Sequence, residues 1–185
     1  MNATRSSVSR GSGRRFVLDS SAGRLSPAER AERGKAARSA VPRGSHAVYD
    51  PPADRPDPVG LLERQAATRL PDLVPVRYSR MLASPFSYFR GAALSMAADL
   101  AATPVSGLAV QACGDAHLSN FGVYAAPERA LVFDLNDFDE TLPGPWEWDV
   151  KRLAASLEVA GRGNGYRSGL RAIWPLASRR SAQWA

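Results

Sequence analysis

The hydrophobic period of this chain changes at Gly107, and that change limits the folds open to it. Before it, Leu61, Leu62, Ala66 and Leu70 recur at helical spacing, as do Phe86, Phe89, Ala93, Met96 or Ala97, and Leu100. After it, "LAVQAC" and "LVFDLND" read as strands, separated by the polar loop "GDAHLSN" and a turn near Pro127. Helices followed by short strands predict an α+β domain, with a small sheet holding residues 108–113 and 131–136. In the second strand Val132, Asp134 and Asn136 share one face, and Phe133, Leu135 and Asp137 the other.

Local punctuation sets the helix ends. Asp57 before Pro58 starts a helix that Pro71 stops, so residues 58–70 are expected to be helical. Ser84 and Pro85 open a second helix over 85–101, through which Arg90 and Gly91 pass without interrupting the apolar stripe. Pro143 to Pro145 read as a rigid turn. A third helix over 149–161 then opens at or near Asp149 and turns Val150, Leu153, Ala154, Leu157 and Ala160 inward, with Lys151 and Arg152 beside the acidic loop. Trp146 and Trp148 read as packing residues. Beyond Gly161 the pattern fades, and residues 166–185 look like the irregular end of a domain cut short.

The basic charge belongs to one end of the chain. Residues 1–49 carry ten Lys or Arg against three acids, whereas residues 50–185 carry fourteen against fifteen. Such a Ser, Arg, Gly and Ala-rich stretch reads as a solvated, disordered leader, able to touch nucleic acid only nonspecifically. Within it Ser26, Pro27 and Glu29 can cap a short helix reaching Arg38, though one with almost no apolar stripe. "GSGRR" at residues 11–15 lacks the strand that a phosphate-binding loop needs. One cysteine, Cys113, excludes an intrachain disulfide framework, and two histidines leave little for zinc. No run approaches a membrane span or a signal peptide, so a cytoplasmic protein is expected, with no membrane partner.

The chemistry gathers after the period change. Asp134, Asp137, Asp139 and Glu140 place four carboxylates within seven residues, which repel one another unless a cation, an arginine or water intervenes. Asp115 and Asn120 stand five apart in the preceding loop. An Asp, an Asn and a second Asp form the hard oxygen set that Mg2+ takes, with either Asp134 or Asp137 as the second carboxylate. Arg90 and Lys151 are the expected compensating cations and cofactor contacts. The spacing of a base-like Asp, an Asn five residues on and a later Asp-Phe is the one that protein kinases use for phosphoryl transfer.

Residues 113–140, together with "ASPFSYFRGAA" before and "LPGPWEWDVKRLAASLEVA" after, resemble the bacterial family catalogued as domain of unknown function 2252, over roughly residues 56–165. The central segment is also similar to the catalytic region of aminoglycoside phosphotransferases and other protein-kinase-like enzymes. That second resemblance implies a partial, protein-kinase-like catalytic region of small sheet and packed helices. It assigns Asp115 as catalytic base, His117 as loop support, Asn120 and Asp137 as magnesium ligands, and Asp149 as the acid that braces the loop. It further implies Mg2+ and ATP as cofactors and a small hydroxyl compound as substrate. Kinase-like enzymes place a glycine-rich loop and a lysine ahead of the catalytic loop, and nothing before Gly114 resembles either. The family's Gly-rich stretch and basic strand are expected after the segment present here, so the domain is expected to be incomplete. Three functions fit: a magnesium-dependent phosphotransferase or its inactive truncated relative; a noncatalytic domain whose acids serve an ion and arginine network; and a nonspecific nucleic-acid binder acting through its basic tail.

Overall fold

The computed structural model describes residues 16–18 and 25–168. Most of the basic leader's first 24 residues and the expected irregular end after Ser168 lie outside the described residues. Six α-helices and four strands make up an α+β fold: α1 (Pro27–Ala40), α2 (Pro58–Ala66), α3 (Val74–Met81), α4 (Pro85–Gly91), α5 (Ala93–Leu100), β1 (Ala109–Ala112), β2 (Phe121–Ala125), β3 (Leu131–Leu135), β4 (Leu142–Pro145) and α6 (Trp146–Gly163).

Three helix starts follow the local chemistry of the chain. Ser26 and Glu29 form a reciprocal capping box on α1, Asp57 accepts from Gly60 N on α2, and Ser84 accepts from Ser87 N on α4, each with a proline in the first turn. Helix α1 buries no residue, in keeping with its missing apolar stripe. Helix α2 buries Leu61 and Leu62 but ends at Ala66, short of Pro71, and Leu70 stays exposed.

Residues 85–101 are two helices instead of one. The break falls at Ala92, whose φ of −117° and ψ of 36° leave the helical region. Its cause lies outside the segment: Arg152 Nη2 donates to Phe89 O at 2.9 Å and Arg77 Nη2 to Gly91 O at 2.6 Å. Two guanidiniums thus satisfy carbonyls at the break, where the regular ladder stops. Gly91 is also pressed against Met81, which an added Cβ would meet at 2.7 Å.

The expected strands form, but not in one sheet. β1 pairs antiparallel with β4, Ala109 opposite Pro145 and Ala112 opposite Leu142, while β2 and β3 form a separate hairpin with Val123 opposite Phe133. The prolines of β4 thus sit in a strand, not a free turn. A two-stranded ribbon accepts them because each strand has an edge on which a missing N–H costs no ladder bond. The hairpin leaves Val123, Leu131 and Phe133 exposed on one face.

Helix α6 starts three residues earlier than expected, and its most buried positions are not the expected ones: Ala154 is exposed, and Leu153, Leu157 and Ala160 are only half-buried. Val150 is exposed, and the buried positions are Glu147, Arg152, Ser156 and Gly161. Three polar side chains therefore form most of its inner stripe.

Candidate functional site

The loop 113–120 is laid along α6 and bonded to it turn by turn. Asp149 accepts from Cys113 N at 2.7 Å and from Gly114 N at 3.1 Å. Arg152 Nε donates to Asp115 Oδ1 at 2.5 Å, with Nη2 on the same oxygen. Ser156 Oγ, fully buried, accepts from Leu118 N at 3.0 Å and donates to Leu153 O. Residues 149, 152 and 156 share one helical face, so one rigid rod holds successive steps of an otherwise irregular loop.

Gly114 makes the second junction. Its φ of +84° lies in the left-handed region, and an added Cβ would sit 2.3 Å from Glu140 O. Cys113, buried at the end of β1, donates its thiol to Asp137 O at 3.2 Å. Burial pushes that thiol above its ordinary value, the direction of an inert packed cysteine. The loop 113–120 and the acidic segment 137–140 are thereby held backbone against backbone.

Asp115, His117, Asn120 and Asp137 line one cleft of about 850 Å³. Asn120 is buried, and its Nδ2 donates to Asp115 O at 2.9 Å, which fixes the amide and leaves Oδ1 as its acceptor atom. Asp137 Oδ1 accepts from Asp139 N at 3.3 Å. His117 is 2% exposed, with Nε2 3.6 Å from Asp115 Oδ2 and Nδ1 unpartnered among the described residues. Burial pushes its pKa down, against the pull of Asp115, so the imidazole is neutral at pH 7.

The remaining expected site residues are divided by the fold. Arg90 lines the cleft. Lys151 does not: its Nζ donates to Thr103 Oγ1 at 2.8 Å, and the adjacent Arg152 reaches Asp115 instead. Neighbours on a helix point about 100° apart, so only one of the two can face the loop. Asp134 turns back on its own strand, accepting from Leu135 N at 2.8 Å, and lies outside the cleft lining that includes Asp137.

Two features went unread in the sequence. Arg69, Arg77 and Arg80 join Arg90 along the cleft, although they sit in a stretch with no strong local signal. Ser156 completes a polar stripe with Asp149, expected as the loop's brace, and Arg152, expected beside the acidic loop; the spacing of three and four was readable, had the helix face not been assigned by apolar residues alone.

Asn120 and Asp137 line the same cleft; an amide with a carboxylate is a donor pair that Mg2+ would accept, since it takes only one or two carboxylates and completes its shell with water and phosphate oxygens. Among the described residues no group of three or more His, Cys, Asp or Glu is gathered for a metal.

Residues 69–172 match the family described as "Uncharacterized protein conserved in bacteria (DUF2252)". The chain belongs to this family. No curated protein and no solved structure matches it. Among the described residues no helix is long and apolar enough to cross a membrane.

Proposed function

We propose that the cleft is a magnesium-dependent phosphotransferase site, moving the γ-phosphoryl group of ATP to the hydroxyl of a small compound, as the kinase-like resemblance implies. The observation that supports this reading is the convergence of Asp115, Asn120 and Asp137 on one cleft, from a loop whose backbone amides are braced by Asp149. Asn120 Oδ1 and Asp137 would hold the cation. Bound there, Mg2+ would supply charge neutralisation on the phosphate oxygens.

The chain's own residues divide the remaining work. Arg152 occupies Asp115 Oδ1, which leaves Oδ2 to accept a hydrogen bond from the acceptor hydroxyl. The hydroxyl oxygen forms the new bond to the γ-phosphorus as the bond to the β,γ-bridging oxygen breaks. The hydroxyl proton passes to Asp115 Oδ2, and ADP departs with the bridging oxygen. Neutral His117 backs the carboxylate without adding a positive charge that would weaken it as a base. Positioning carries most catalysis of this kind, and the α6 bonds provide it on this side of the cleft.

The noncatalytic reading is favoured by one observation, the buried Arg152 paired with Asp115, since an acid serving only the fold would be held the same way. Calorimetry with ATP and Mg2+, and ATP consumption over a panel of small hydroxyl compounds, separate the two. Magnesium-dependent ATP binding, with turnover abolished in a folded Asp115→Asn variant, supports the phosphotransferase. Failure of the folded chain to bind ATP with Mg2+ sinks it and leaves the arginine network as the reason for the acids.

A further inference from the structure

The near-neutral charge of residues 50–185 conceals a segregation. Between residues 64 and 98 the chain carries five arginines and one acid, Asp72, and that segment builds the cleft wall facing the acidic loop. Arg69, Arg77 and Arg90 on one side, and Cys113, Asp115, Asp137, Asp139 and Glu140 on the other, line a gap of about 190 Å³ within this region, many times the ~10–15 Å³ that one water needs.

Opposite charges that served only to neutralise each other would close on contact, because arginine side chains are long and flexible. These do not. The Arg69 and Arg90 side chains make no hydrogen bond or ion pair among the described residues, and Arg77 is held away by its 2.6 Å bond to Gly91 O. Gly91 is itself backed by Met81, so Arg77 stands on a fixed support. Burial and then the charge of Arg69 push Arg77 down from its ordinary value, and the opposing pull of Glu140 and Asp115 only partly offsets them. A further anion in direct contact with the guanidiniums would offset the remainder.

We infer that Arg69, Arg77 and Arg90 form an oxyanion site for a phosphoryl group, and that the ligand is a phosphate monoester or polyphosphate bound without need of a divalent cation. Three guanidinium forks suit the three terminal oxygens of such a group, where a carboxylate offers two. The acids on the other side orient the ligand, since they repel a second anionic end and accept a hydroxyl or a cation. The site replaces, with two helical arginines, Arg77 and Arg90, and Arg69 in the turn after α2, the glycine-rich loop and lysine that the sequence does not show before Gly114. Its anion-binding groups are residues other than Asp115, Asn120 and Asp137, so phosphate binding can be tested apart from the phosphotransferase reading.

The test titrates the full chain with inorganic phosphate and with tripolyphosphate in EDTA, by calorimetry at moderate salt. Saturable one-to-one binding is expected. Arg69→Gln and Arg90→Gln, both exposed positions, should each weaken it about tenfold, the value of one charge-assisted bond. Arg38→Gln on the tail helix should leave it unchanged, and Asp115→Asn should not weaken it. Absence of saturable binding by the folded chain overturns the site. So does an equal loss in Arg38→Gln, which would assign the binding to the basic tail. Phosphate binding that survives when ATP turnover fails would keep the oxyanion site and remove the enzyme.

Discussion

Replacing Arg152 with methionine tests the pair at the centre of the site. Methionine keeps much of the aliphatic stem and removes the guanidinium. Lost with it are both contacts to Asp115 Oδ1, the 2.9 Å bond to Phe89 O, and the stacking of the guanidinium over the Phe89 ring at 4.4 Å. Removing one partner of a buried pair costs about 3–5 kcal/mol, because the other charge is left unpaired. The Asp115 side chain keeps 20% of its exposure, so water reaches the orphaned carboxylate and the lower end, about 3 kcal/mol, applies. For a domain of this size each kcal/mol moves Tm by about 2–4 °C. The expected fall is therefore about 6–12 °C in a thermal scan. Adding Asp115→Asn should recover part of the loss, with a coupling of about 1–3 kcal/mol in the double-mutant cycle. A fall under about 3 °C, or additivity within about 0.5 kcal/mol, would show that the pair is not engaged in solution.

Two further perturbations probe the loop junctions. Gly114→Ala should cost about 3–5 kcal/mol in urea unfolding, combining a left-handed φ with a Cβ driven into Glu140 O. Gly107→Ala, with φ of +80° and nothing within 4 Å, serves as the conformational control and should cost only about 1–2 kcal/mol; equal losses would remove the Glu140 contact from the account. Because burial holds His117 below its ordinary value, the unfolded chain takes up the proton first as pH falls below about 6.5. Stability present above that pH should decline as pH drops through the folded value. The decline should be smaller in His117→Asn, measured by urea midpoints at pH 7.5 and 5.5, and identical slopes would refute the assignment.

What the sequence made legible was whatever local chemistry decides. The caps at Ser26, Asp57 and Ser84 depend on residues three apart, and they appear where the pattern puts them. The break at Ala92 was hidden because its causes, Arg77 and Arg152, come from 15 and 60 positions away in the chain. β4 was hidden because proline signals a turn wherever a partner strand is not yet known. The loop and the acidic segment were readable as a pair from their composition. Which of Lys151 and Arg152 faces them, and which of Asp134 and Asp137 lines the cleft, depended on helix phase and strand end, which composition does not carry.

Helix α6 is fastened by bonds that have direction, since Glu147, Asp149, Arg152 and Ser156 each hold a named backbone or carboxylate partner. Apolar packing tolerates exchange among residues of similar bulk. Directed bonds do not, because each exchange strands a donor or an acceptor away from water. A descendant that had lost all turnover would therefore still be held to the same letters at these positions, by folding alone. Preservation of Asp115 and its neighbours among relatives would then record the needs of the fold, and only residues the fold does not use, such as Arg69 and Arg90, would report whether a ligand is still being bound.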